Sequence, residues 1–554
     1  MIARGSTLAL AFALLACGAD QSPTAPSGSA PAEPSATLAP AAGAGPSASA
    51  AAAPTFTSAE LALKKASRRL VANELQHDVM IELHVTKSVV PADYLRSFTA
   101  VLDHYKRAEH EAPGGGSSQS RVDYRVVDVG SASDEYTAKT LGLAETWLTP
   151  WTPDPKPTPT PVIDLRRGFV GLVFKYGTGH VVIPALPPCD PRTLEFFVTN
   201  KLREIHAGLS GKVYRFGVVV GKREVGVDEP NLAVGGTGYS LAAVVQSYFP
   251  YYVLQGVDLG ADERAIDPTL HGLIVTHPSV DYSDAELKRI DQFVMSGGKA
   301  LAIVASGGTI QPFEPAMRAS LSMHGLDKLL AGYGVEMSPG LVYDHDSALE
   351  LDAISRSGAD IKLRHPGIPV VPEARLDRTF PVFWSSKALA FPLASALVLR
   401  ADRQPEAKLL PLARTSSGAV IISEPGQSMR LAETWPRAGE AAERVLAASV
   451  EGTLKSAFSG SDPPKSRTPS RVLVLGSSHV FANPFARAAN PAPLPPHLAA
   501  MGQPPPDAEL ATISYPYTST YGTRAILTFK RTLDWMSGEA DFAEVDLPLT
   551  DPKK

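Results

Sequence analysis

The sequence predicts two tandem α/β domains, and three observations point there. Apolar runs of strand length, such as Val213 to Val220 and Gly272 to Thr276, alternate with amphipathic helical stretches. Several of these runs are apolar almost without interruption, as strands of a parallel sheet covered on both faces must be. The chain has 554 residues, 44% of them hydrophobic, which is enough for more than one buried core.

Taken in order, a helical stretch around Ser58 to Ala72 leads into Asp78 to Thr86, whose alternation is that of a strand with one buried face. Pro91 opens a helix running to about Arg107, and a glycine-rich turn from Gly114 leads to a second strand, Arg121 to Val129. Strand, helix and strand in that order imply parallel pairing. Strands at Gly168 to Tyr176 and His180 to Pro184 follow, then a helix from about Arg192 to His206. The proline-rich insertion Thr149 to Pro161 reads as a stiff loop or a partner-binding segment.

The second unit starts at Val213 to Val220 and continues with strands Tyr251 to Asp258, Gly272 to Thr276 and Lys299 to Val304. Between the last two, Ser283-Asp-Ala-Glu286 forms a capping box, Leu287, Ile290 and Val294 give an apolar stripe, and Gly297-Gly298 ends the helix. Ala388 to Leu399 is apolar but too short to span a membrane and contains Pro392, so it reads as buried strand or helix. After a polar, proline-rich stretch from Ser459 to Pro469, Arg471-Val-Leu-Val-Leu-Gly-Ser-Ser-His479 reads as a late strand returning to the sheet, with a terminal helix from about Thr523 to Met536.

Net charge is −5, which gives no electrostatic footprint for nucleic acid. With two cysteines, Cys17 and Cys189, there is no disulfide framework and no cysteine-based zinc site. Arg4 followed by the apolar run Leu8 to Leu15 reads as an export signal, too short to cross a bilayer. Leu14-Leu15-Ala16-Cys17 resembles the lipobox of bacterial lipoproteins, which implies acylation of Cys17 and attachment to a membrane surface. Ser22 to Pro54 is almost wholly Ala, Pro, Ser, Gly and Thr, so it cannot bury a core and reads as a tether with an end-to-end spread of roughly 30 Å. The expected organisation is therefore a signal over 1–17, a disordered tether over 18–54, an α/β domain over 55–210, a second over 211–345, and a region 346–554 completing the second. The expected location is the bacterial cell envelope, with the folded part in the periplasm or at the outer surface.

Several stretches resemble the GldG-like auxiliary proteins of gliding-motility-type ABC transport systems: Ile81-Glu-Leu-His-Val-Thr-Lys-Ser-Val-Val-Pro91, Gly168 to Gly177, Leu194 to Leu202, Tyr239-Ser-Leu-Ala-Ala-Val-Val, Asp284 to Gly298 and Leu326 to Val335. Val472 to Asn483 and Arg531-Thr-Leu-Asp-Trp-Met add to them. The resemblance implies a non-catalytic accessory whose partners are permease and ATPase subunits in other chains. Family members usually carry membrane-spanning helices at one or both ends, and the expectation here is that the lipid on Cys17 takes their place. The second domain also looks similar to Rossmann-like, class I glutamine-amidotransferase-like parallel sheets.

Chemistry is thinly marked. No Walker loop G-x-x-x-x-G-K-[ST] occurs: Gly298-Lys299 is followed by Ala300 and Gly211-Lys212 by Val213. Cys189 lies in a proline-rich turn without elbow glycines and reads as a loop residue. Ser477 or Ser478 with His479 suggests a serine hydrolase, but the G-x-S-x-G elbow is missing. Asp344-His345-Asp346 offers metal-capable groups without a fourth ligand. No enzyme activity, cofactor or metal is expected. Three loops remain as candidate ligand contacts, each after a strand of one sheet: Gly235, Gly236 and Gly238; Ser306, Gly307 and Gly308; Gly476, Ser477 and Ser478. Glycines there allow a ligand such as a carbohydrate or peptide to approach closely, or they serve the tight turns that parallel sheets need anyway.

Overall fold

The computed structural model describes residues 56–108, 110–111, 117–118, 120–148, 166–186, 190–232, 240–260, 265–310, 317–354, 360–431, 435–437, 439–486 and 507–549. Cys17, the tether, the 149–161 insertion, Cys189 and the loop carrying Gly235, Gly236 and Gly238 lie outside these residues.

The chain first builds a four-stranded sheet of β1 (Val79–Val85), β2 (Val122–Asp128), β3 (Val170–Tyr176) and β4 (Gly179–Ile183), in the order β2-β1-β3-β4. β1 and β2 pair in parallel across the helix α1 (Ala92–Lys106), as strand–helix–strand order requires. One face, through Val79, Ile81, Leu83 and Val85, packs on Phe98, Val101 and Leu102 of α1 and on α3 (Thr193–Ser210). A short helix, α2 (Ala132–Thr140), covers part of the other face; Ser131 and Asp134 form its capping box, a signal the sequence reading passed over.

The helical stretch expected at 58–72 begins later, as a helix over Lys65–Arg69 that continues as a π-helical turn over Leu70–Glu74. Glu195 of α3 sets that start: its carboxylate accepts the Lys64 backbone N–H (2.5 Å) and the Ser67 hydroxyl (2.7 Å). Residues 58–61 form a turn instead.

The second sheet has nine strands. β5 (Tyr214–Val220), β6 (Tyr252–Asp258), β7 (Gly272–Thr276), β8 (Ala300–Val304) and β13 (Ser470–Leu475) are mutually parallel in the order β6-β5-β7-β8-β13. Antiparallel strands extend it: β12 (Val445–Gly452) beside β13, then β10 (Leu397–Leu399) and β9 (Val335–Met337), with β11 (Ala407–Arg414) also on β12. The apolar runs are continuous because both faces are covered. Phe216, Ile274, Ala302 and Leu473 meet α8 (Thr523–Ser537) through Leu527 and Leu533. Leu273, Leu301, Val472 and Val474 meet α5 (Asp284–Met295) and α6 (Leu326–Gly332) on the other side. α5 starts with the expected capping box, Ser283 and Glu286 each bonding the other's backbone N–H.

Ala388 to Leu399 contains two short strands, Ala388–Ala390 and β10, separated by Leu393 at φ 53°. Before it, Ala348–Ile354 and Asp360–Pro372 form a long antiparallel hairpin. No helix among the described residues is long and apolar enough to cross a membrane.

The two sheets are joined through one buried charge network. Arg203 of α3 donates to Asp534 of α8 (2.9 Å), to Tyr252 (2.8 Å) and to Tyr251 (3.2 Å), between the rings of Tyr251 and Phe542. Lys530 reaches the same carboxylate at 2.8 Å. Burial works against the Asp534 anion, but Lys530 and Arg203 outweigh it and hold the carboxyl below its usual range.

Candidate functional site

In an open parallel sheet, ligands bind outside the carboxyl ends of the strands, where the strand order reverses. Here the chain lays down β5, steps to β6 on one side, then returns to place β7, β8 and β13 on the other. The reversal falls between β5 and β7, so the candidate edge is formed by the loops after β5, β7, β8 and β13.

The loops after β8 and β13 carry six of the nine residues singled out from sequence. The two strands are neighbours, with Val304 opposite Leu475, so Ser306 and Gly476 sit on adjacent loops. Ser306, Ser477 and Ser478 are all buried. Their hydroxyls are occupied: Ser306 bonds the Gly308 backbone at both carbonyl (2.5 Å) and N–H (3.2 Å), and Ser477 donates to the Pro392 carbonyl (2.6 Å). Ser395 accepts the Gly307 N–H (2.6 Å) and donates to the Gly340 carbonyl (2.6 Å). A Cβ at Gly307 would lie 2.7 Å from the Ser338 carbonyl oxygen, one at Gly308 2.7 Å from that of Ser320, and one at Gly476 2.7 Å from that of Ser395. The close approach these glycines permit is of the chain to itself.

Ser478 and His479, adjacent in sequence, do meet: Oγ and Nδ1 are 2.9 Å apart. Burial pushes the His479 imidazole down to about 4, which makes it a poor general base near neutral pH. Asp344 is spent on structure, its carboxylate accepting from the N–H groups of Asp346 (3.1 Å), Ser347 (3.0 Å) and Ser416 (2.8 Å), while His345 bonds the Pro436 carbonyl (3.0 Å). Among the described residues no group of three His, Cys, Asp or Glu side chains could hold a metal ion.

The residue at the reversal itself is His277, the first after β7 and fully buried. Its carbonyl accepts the Val225 N–H from the β5 loop (2.9 Å), and its Nδ1 accepts the Ser306 N–H from the β8 loop (3.4 Å). Nε2 therefore carries the proton, and it has no hydrogen-bond partner among the described residues. The His324 ring lies 6.0 Å away and is held by Asp281 at 2.6 Å. Arg223 and His324 both adopt left-handed backbone, at φ 53° and 51°, a conformation that side-chain-bearing residues rarely hold without support. Sequence reading missed His277 because a lone histidine after an apolar strand shows no ligand spacing; only the strand order, invisible in the sequence, marks its place.

A separate half-open cleft lies at the seam of the two sheets, lined by Leu70, Arg203, His206, Lys212, Tyr214 and Glu539. Its enclosed space is only about 20 Å³, far below the roughly 300–1,000 Å³ of small-molecule sites. Its charged groups are paired, Lys212 with Glu539 at 2.9 Å and Arg203 with Asp534.

In comparison with known proteins, a profile of the family described as an ABC-type uncharacterized transport system matches residues 215–497. That span covers β5 through β13, the whole parallel part of the second sheet. The resembling stretches between residues 81 and 202 fall before it, and the gliding-motility name is not part of the match. No curated protein sequence matches the chain.

Proposed function

Since the chain belongs to the ABC-type uncharacterized transport system family, with slightly more than half its length matched, and is thereby an auxiliary component of such a system, we propose that it is a non-catalytic accessory held at the envelope by a lipid on Cys17. The family match carries this reading. Supporting it, the sequence holds no Walker loop, so any ATP the system uses would be hydrolysed by another chain. The lipobox-like Leu14-Leu15-Ala16-Cys17 supplies an anchor, and no described helix is long and apolar enough to supply one. The Ser306 and Ser477 hydroxyls and the Gly307 N–H of the β8 and β13 loops are engaged within the chain, which favours a scaffold that docks onto partners over a catalyst.

The test is affinity purification of the tagged full-length chain from detergent-solubilised membranes. An ABC-type ATPase and permease should be recovered with it in fixed proportion, and the purified chain alone should not hydrolyse ATP. Recovery without either subunit, or an ATPase activity that travels with the chain, overturns the proposal.

A further inference from the structure

We propose that His277 is an acid-released latch: while uncharged it ties together the loops that follow β5, β7 and β8, and on protonation it lets that edge of the second sheet open. The inference goes beyond the accessory role and does not depend on it.

Two contacts of His277 make the latch, and a third beside it, between Ser279 and Lys222, runs across the same loops. The Val225 N–H reaches the His277 carbonyl (2.9 Å), the Ser306 N–H reaches its Nδ1 (3.4 Å), and the Ser279 N–H reaches the Lys222 carbonyl (2.9 Å). One residue thus bridges two neighbouring loops on either side of its own strand. The Ser306 contact exists only in one protonation state. A second proton on the ring must go to Nδ1, where it would face the Ser306 N–H with no acceptor between them.

Among the described residues nothing around the ring compensates a charge. Its titratable neighbours are two other imidazoles, His324 and His479. The Asp281 carboxylate is bound to His324 (2.6 Å), Glu224 accepts the Tyr282 hydroxyl (3.1 Å), and Glu286 is paired with Lys222 (3.0 Å). Burial, reinforced by His479 and His324, pushes the His277 ring down to about 3. Once the edge opens, the ring returns towards an ordinary value near 6.5. A base depressed in the closed state favours closure fully above about pH 6.5, and each unit of acidification below that shifts the balance about tenfold towards opening, until the closed-state value is reached.

The opened region is the reversal of strand order, so acid would expose the part of the sheet best placed to meet a ligand or partner. The strained backbone at Arg223 and His324, on flanking loops, would relax in the same event.

Hydrogen exchange of the full-length chain at pH 7.5 and pH 5.0, with labelling times scaled for intrinsic exchange, tests this. At pH 5.0 peptides covering 221–232, 276–282 and 304–310 should lose at least tenfold protection relative to peptides from β1 and β3. In His277→Asn the side-chain oxygen can still accept the Ser306 N–H but does not titrate, so protection should persist at pH 5.0. If the asparagine variant is not folded at pH 7.5, wild-type protection is followed in steps from pH 7.5 to 5.0 instead: the latch requires the loss to begin below about pH 6.5 and to spare β1 and β3. Equal protection of the wild-type edge at both pH values, or equal loss in wild type and the non-titrating variant, overturns the latch.

Discussion

Arg203 and Asp534 meet at 2.9 Å in the interior although 331 positions separate them in the chain. One belongs to the helix that backs the first sheet, the other to the last helix, which backs the second. Both are buried, so the contact is tied to the relative placement of two cores and is not a surface ion pair.

The network is asymmetric, and its two ends should respond differently to substitution. Asp534→Ala strands two buried cations, Arg203 and Lys530, and should cost about 3–5 kcal/mol in denaturant unfolding. Arg203→Met leaves Asp534 with Lys530 and the Tyr252 hydroxyl and should cost clearly less. An equal or reversed order would show that the carboxylate is not the hub.

Gly476→Ala should destabilise by about 1–3 kcal/mol, because the new methyl group would press on the Ser395 and Leu446 carbonyl oxygens at 2.7 and 3.0 Å. Urea midpoints of variant and wild type decide it. A neutral substitution would mean that the loop after β13 yields easily and that packing does not account for the glycine.

Acid should weaken the whole fold as well as the His277 edge. Burial holds His365 and His479 down to about 4, with the His365 Nε2–H donating to the Met429 carbonyl (2.8 Å) and its ring tilted against Trp435 at 4.3 Å. Each therefore stabilises the folded state fully above about pH 6.5 and loses that contribution as pH falls towards 4. At pH 5 the loss is about 2 kcal/mol per histidine. Denaturant midpoints at pH 7.5 and 5.0 measure it, and His365→Phe should shrink the difference; a pH-independent midpoint contradicts the buried neutral rings.

Cys17→Ser should move the protein from the membrane fraction to the soluble envelope fraction, or leave it as unprocessed precursor, with unfolding of the folded part unchanged. Two acyl chains give stable attachment where one is marginal. Mass spectrometry of the mature N-terminus is decisive: an unmodified peptide beginning elsewhere than Cys17 removes the lipid from the proposal.

What the sequence made legible was local. Ser283 and Glu286 announced α5 because a capping box is written within four residues. The apolar runs of β5, β7 and β8 were plain because each is buried on both faces. The helix expected from Ser58 failed at its start because the group that sets it, Glu195, is 131 residues from Lys64. The hairpin Ala348–Ile354 with Asp360–Pro372 was obscure because its cross-strand pairs, such as Glu350 with Arg364, put charges where apolar periodicity is sought. The glycines after β8 and β13 were readable as turns, but what crowds them, Ser338 and Ser395, arrives from distant chain. His277 gained its meaning from strand order alone.

The position of β13 has a consequence for how the molecule comes into being. Its residues, 470–475, fill the place beside β8, which ends at Val304. A chain emerging N-terminus first therefore presents β8 as a bare parallel edge for more than 160 residues, and Ala302, on the face that α8 covers, stays open longer still. Such an edge is a template for pairing with another molecule, and late, non-local closure is slow. The protein is thus most exposed to misassembly while incomplete, and the last fifth of the chain acts as the closing piece for strands made long before it.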